Sequence, residues 1–214
     1  MHCYAGIILT TLILLMAPPH VVAKKAEVDP VLRQKLVENF AATYDDTDKF
    51  DAEVWLRVSD QRLQRYMKSQ TDRLDLLRLV YREAKRHGLD PDLVLAVMQI
   101  ESAFDQYAIS RVGARGIMQV MPFWRAEIGR PQDNLTELET NIRYGTVILA
   151  HYIEVAKNDL VEALARYNGS LGRLKYPEKV IKAWRTRWRN KSRDELPQLI
   201  ASCEAYPLNA CRYR

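Results

Sequence analysis

Residues 92–102 read DLVLAVMQIES, and this stretch constrains the chain more than any other. Wound at 3.6 residues per turn it is apolar almost all the way round, and a helix of that kind belongs in the middle of a domain rather than on its surface. Asp90 and Pro91 supply an N-cap and a first-turn proline, so the helix has a defined start. Its last turn carries Glu101, on the same stripe as Val94, Val97 and Met98. A carboxyl group placed there resists ionisation for two reasons: burial disfavours the charged form, and so does the negative end of the helix dipole. A glycosidase acid needs a carboxyl that keeps its proton near neutral pH. A glutamate closing a helix is equally compatible with a solvated or ion-paired side chain, so the segments around it have to decide.

The rest of the chain reads as helices joined by short loops. Apolar residues recur at helical intervals over residues 29–44, 52–68 and 72–87, with Gly88 as a C-terminal stop for the last of these. The same pattern predicts helices over residues 137–156, 159–167, 176–190 and 193–201. No alternating run bounded by hairpin turns occurs, which makes the fold class all-α. The core domain is expected over residues 72–190, with a helical extension at 24–71 and a tail at 191–214.

Three further segments bear on chemistry. Gly113-Ala114-Arg115-Gly116 leads into Ile117-Met118-Gln119-Val120-Met121-Pro122, where the glycines allow close backbone approach to a ligand. Gln119 offers a donor and an acceptor, and the Met118 thioether offers a polarizable surface to a sugar face. Ala165-Arg166-Tyr167-Asn168-Gly169 closes another helix, and Tyr176 follows. Each alone fits a plain turn or helix cap. In this order, Glu101-Ser102, Gly116 to Pro122, Ala165 to Asn168 and Tyr176 resemble the motif series of the soluble lytic transglycosylase (SLT) family. The segment 141–145, Asn-Ile-Arg-Tyr-Gly, is similar to that family's helix start between its second and third motifs. Gly169 follows Asn168 directly where the family has a spacer, and the interval to Tyr176 is short.

The resemblance implies a lysozyme-like helical domain that cuts the bond between N-acetylmuramic acid and N-acetylglucosamine in peptidoglycan without hydrolysis. It makes Glu101 the acid and base, with Ser102 assisting near the reacting sugar. Met118, Gln119, Tyr167 and Asn168 then line the groove and Tyr176 orients the carboxyl. Ordinary glycosidases use two carboxyl groups. Here Asp105 is the only other carboxylate near the motif, and a transglycosylase needs just one. No cofactor or metal is called for, since His87 and His151 lack ligand spacing with each other or with the cysteines.

The ends of the chain point to export. Residues 1–23 hold no charged side chain and an apolar run from Gly6 to Met16, too short to span a bilayer, before Val21-Val22-Ala23. This resembles a signal peptide, although the usual lysine or arginine ahead of the run is absent, and it predicts a periplasmic or otherwise exported protein with no membrane span after cleavage. Cys203 and Cys211 remain in the mature chain as an even pair expected to form a local disulfide, with two free thiols as the alternative. The net charge of +5 suits an anionic polymer such as the cell wall, and nucleic acid or anionic lipid equally well. Three other readings stay open: a goose-type, lysozyme-like hydrolase of the same bond, a non-catalytic wall-binding protein, and a basic nucleic-acid binder built on Arg185, Arg187, Arg189, Trp184 and Trp188. Export argues against nucleic acid, and the spacing of Trp184 and Trp188 suggests one core-facing helical stripe.

Overall fold

The computed structural model describes residues 49–189. The signal-like segment, the helices expected over 29–44 and 193–201, and the Cys203 and Cys211 pair lie outside them. The described residues form seven α-helices: α1 (Lys49–Leu63), α2 (Gln70–Arg86), α3 (Pro91–Ser102), α4 (Trp124–Ile128), α5 (Leu138–Val155), α6 (Leu160–Tyr167) and α7 (Lys175–Ala183). A π-helical turn, Trp184–Trp188, follows α7. Among these residues the only β pairings are isolated antiparallel bridges, Ile109 with Arg115 and Arg115 with Val120. The chain is therefore all-α over its described part, as its periodicity requires.

Local chemistry sets the helix starts. Ser69 Oγ accepts from the Asp72 backbone N–H at the head of α2, and an Asp90 side-chain oxygen accepts from that of Asp92, 2.8 Å away, at the head of α3. Glu137 and Asp159 cap α5 and α6 in the same way. Each such cap satisfies amide hydrogens that the helix cannot, a contribution of about 1 kcal/mol apiece. Gly88, in the left-handed region at φ +65°, lets the chain turn out of α2.

Helix α3 runs through the centre, with residues 91–98 all buried. It packs against α2, α7 and the π-turn, while α5 lies on α2 and α6, and α6 on α7. Full burial of a Leu, Val or Met side chain contributes roughly 1.5–3 kcal/mol, so Val94, Leu95, Val97 and Met98, each wholly buried, make α3 the main anchor of the core. Helix α1 joins the same apolar cluster through Trp55 and Leu63. Its Trp55 indole N–H donates to Asp92 at 2.7 Å, and its Asp60 pairs with Arg73 of α2 at 2.6 Å.

The continuous helix expected over 176–190 is instead broken. The backbone widens after Ala183, and the Arg189 N–H donates to the Trp184 carbonyl five residues back at 2.8 Å. The extra residue in that turn separates the two tryptophans: Trp188 is buried, with its indole N–H on Gln99 at 2.8 Å, and Trp184 stays half exposed, bonded to Asp90 at 3.0 Å. Trp188 therefore cannot stack on a base, which removes half of the aromatic footing for a nucleic-acid reading.

Candidate active site

Glu101 occupies the last turn of α3, where the central helix emerges from the core. The helix closes with the Ala103 N–H on the Gln99 carbonyl, and Ala103 and Phe104 both take left-handed conformations at φ 52° and 69°. Two successive non-glycine residues there cost about 1–2 kcal/mol each, and such strain persists only where the surroundings fix it.

Two helices aim their ends at the carboxyl. The Tyr176 hydroxyl, at the start of α7, donates to Glu101 Oε1 at 2.6 Å, and the Asn168 side chain, just past α6, is also hydrogen-bonded to the carboxyl. Burial pushes the Glu101 carboxyl up to about 7, partly offset by these two hydrogen bonds, which favour the anion. Among the described residues no lysine or arginine pairs with it. Tyr167 and Tyr176 are both driven well above the usual phenol range, first by burial and then by the neighbouring carboxylate, so they act as neutral donors.

The loop between α3 and α4 supplies the facing wall, pinned mainly through its backbone. Gly116, at φ +77°, packs so closely that a Cβ would run into the Asn141 amide and the Leu135 carbonyl. Buried Asn141 accepts from the Met118 N–H at 2.8 Å and donates to the Arg115 and Leu135 carbonyls at 2.8 and 2.7 Å. The Tyr167 hydroxyl donates to the Met118 carbonyl at 2.8 Å, and the Ser102 hydroxyl to the Ile117 carbonyl at 2.8 Å. Helix ends and loop are thus tied into one unit around Glu101.

Every sequence-predicted site residue falls in this unit, with two corrections to how they serve it. The Met118 side chain has no exposed surface and sits against Gly145 of α5, so its thioether offers no face to a sugar. It packs inward because Gly145 leaves room only for a side chain from the loop. Gln119, at φ 51°, commits its amide nitrogen to the Ala108 and Gly116 carbonyls at 3.1 and 2.9 Å, which leaves its oxygen as the group available to a ligand. Asp105 is exposed and accepts from the Tyr107 N–H at 2.8 Å, a turn contact rather than a second catalytic carboxylate. Asn141 belongs to the site although sequence reasoning gives it no role: Glu139, Thr140 and Arg143 beside it are polar too, so nothing local marks its amide as the buried one. Among the described residues no cluster of three or more His, Cys, Asp or Glu could hold a metal ion.

The sequence model of the transglycosylase SLT domain matches residues 78–187, more than half of the chain. The chain belongs to the transglycosylase SLT domain family. Relatives include membrane-bound lytic murein transglycosylase C of Actinobacillus pleuropneumoniae serotype 5b, 37% identical over 112 residues, and that of Photorhabdus laumondii, 34% identical over 116 residues. Each alignment spans 45% of this chain and 31% of the relative, so the shared part is less than a third of those proteins. An X-ray structure of an inactive mutant of lytic transglycosylase Slt from Pseudomonas aeruginosa matches at 21% identity and a TM-score of 0.43, over 75% of this chain and 34% of that one. No helix among the described residues is long and apolar enough to cross a membrane.

Proposed function

We propose that this chain is an exported peptidoglycan lytic transglycosylase with a lysozyme-like catalytic domain, and that Glu101 is its one acid and base. The carrying observation is a carboxyl at the end of the central helix that a tyrosine and an asparagine hydrogen-bond and that no lysine or arginine among the described residues pairs with, so that desolvation pushes it up to about 7. At neutral pH such a group is close to evenly divided between its two forms, which suits a residue that must first give a proton and later accept one.

In this reading the protonated Glu101 gives its proton to the glycosidic oxygen between N-acetylmuramic acid and N-acetylglucosamine. The C1–O bond breaks, the N-acetylglucosamine side leaves with a free C4 hydroxyl, and the muramic acid acetamido oxygen supports the positive charge at C1. The Glu101 carboxylate, steadied by Tyr176 and Asn168, then takes the proton from the muramic acid C6 hydroxyl as O6 bonds to C1. A 1,6-anhydro end results and no water enters the product. The Gln119 oxygen and the outward surfaces of Tyr167 and Asn168 hold the strand. Ser102 and Met118 act through the loop backbone that they position. Residues 1–23 serve as the export signal, and the basic mature chain meets an anionic wall.

The test is digestion of purified peptidoglycan with wild type and Glu101→Gln, followed by mass spectrometry. Anhydro muropeptides are expected from wild type, and a loss of about 10³-fold or more from the variant. Products heavier by one water would instead assign the hydrolase, and undiminished release by Glu101→Gln would remove Glu101 from the chemistry.

A further inference from the structure

The backbone is strained just past the end of α3, at Ala103 and Phe104, and the Phe104 side chain is held on several sides. The Phe104 ring is 5% exposed, lies 4.9 Å from the Tyr66 ring and meets Trp188 edge-on at 5.4 Å. Each partner is itself tied down. The Tyr66 hydroxyl accepts from Arg187 at 2.7 Å, the Trp188 carbonyl accepts from Arg62, and the Trp188 indole N–H donates to Gln99, two residues before Glu101. Tyr66 precedes and Trp188 directly follows the stretch 78–187 that matches the family, so the two rings holding Phe104 come from its flanks.

We propose that Phe104 is a positioning residue for Glu101, clamped by Tyr66 and Trp188 so that the end of α3 stays closed and its carboxyl stays between Tyr176 and Asn168. The inference rests on the reading of Glu101 as acid and base. A left-handed pair of ordinary residues reverts to commoner backbone conformations unless packing prevents it. The clamp supplies that packing on one side of the turn, and the Trp188 to Gln99 bond holds the preceding turn from the same tryptophan. Without it, the last turn frays and the carboxyl moves away from its two donors into water. Gln119, whose side-chain oxygen remains available to the strand, is untouched.

Phe104→Ala, Phe104→Leu, Tyr66→Ala and Tyr66→Phe, made in the full chain and assayed across pH beside Glu101→Gln, test this. Tyr167 and Tyr176, the titratable groups facing Glu101, stay neutral over the assay range, so the alkaline limb reports Glu101. Both alanine variants are expected to lower kcat by about tenfold or more with KM within about twofold. They also move the alkaline limb to lower pH by about one unit, as hydration returns the carboxyl toward its ordinary value. Phe104→Leu falls between, and Tyr66→Phe, which keeps the ring, matches wild type. A clamp that only packs the core lowers the thermal midpoint but leaves the limb and kcat of the folded protein unchanged, and that result overturns the proposal. Tyr66 is only half buried, so Tyr66→Ala decides the matter if Phe104→Ala does not fold. Activity retained by Glu101→Gln sinks the underlying reading instead, whatever the clamp variants do.

Discussion

A wholly buried glutamate and a half-buried one stand one helix apart and do opposite things. Glu83 of α2 is wholly buried, yet Arg82 and Arg86 reach it at 2.9 and 3.3 Å and His87 stands 4.0 Å away. Burial pushes the His87 imidazole below its usual range, so the two guanidinium groups carry the positive charge around Glu83. Glu101 has a tyrosine and an asparagine instead, and its carboxyl is pushed up to about 7. Desolvation raises the Glu101 carboxyl because no counter-charge among the described residues offsets it. Room is a poor guide. A cleft of about 470 Å³ lies between α2 and α5, lined by Arg86, His87, Leu89, Val147, His151 and Glu154, and it does not include Glu101.

The comparison breaks most severely if the Glu83 charge is removed. Glu83→Gln leaves Arg82 and Arg86 facing a neutral group in the core, and removing one partner of a buried pair costs several kcal/mol. Both arginines keep some contact with water, so about 3 kcal/mol is expected, a fall in thermal midpoint of roughly 10 °C. Cleavage per folded molecule should be unchanged. A Glu83→Gln protein with normal stability and poor activity would reverse the roles assigned to the two glutamates.

Neutralising the other glutamate should act in the opposite direction, and only above a certain pH. The folded protein holds the Glu101 proton up to about 7, whereas the unfolded chain releases it near 4.5. Between these values the folded state binds more protons, so rising pH erodes stability, and the whole penalty is present above about 7. Glu101→Gln removes it. The variant should be more stable than wild type by about 2–3 kcal/mol at pH 8, and no different at pH 4. Equal denaturation midpoints at pH 8 would show that the carboxyl is not desolvated.

Much of this arrangement was legible in the sequence because it depends on periodicity and on short-range chemistry. The all-apolar face of α3, its Asp90 and Pro91 start and the Gly88 stop need only the residues themselves. The pairing of Glu101 with Tyr176 was implied by family resemblance and could not be derived from residues 75 positions apart. What stayed hidden is long-range or depends on backbone strain. Within the π-turn Trp188 reaches Gln99 and Phe104, and no local pattern announces a contact across 89 residues. The inward turn of Met118 depends on the space above Gly145, and the committed Gln119 amide on two carbonyls in its own loop. The motif named these residues, but only the fold says which of their atoms remain free.

The smallest expected effect is also the most direct measure of what distinguishes the two glutamates. Glu83 is served by charges, and Glu101 by a hydroxyl that favours its anion without fixing it. Tyr176→Phe deletes that hydroxyl and little else. Since the hydrogen bond lowers the Glu101 value, its loss should raise it above about 7, worth about 1 kcal/mol or somewhat under one pH unit. The alkaline limb of cleavage should then move upward, the reverse of the shift expected when the clamp is loosened. The rate should fall about tenfold, because the carboxylate that must accept the second proton has lost its nearest donor. A limb that moves downward would mean that removing the hydroxyl admits water, and that Tyr176 keeps the cleft dry more than it steadies the anion.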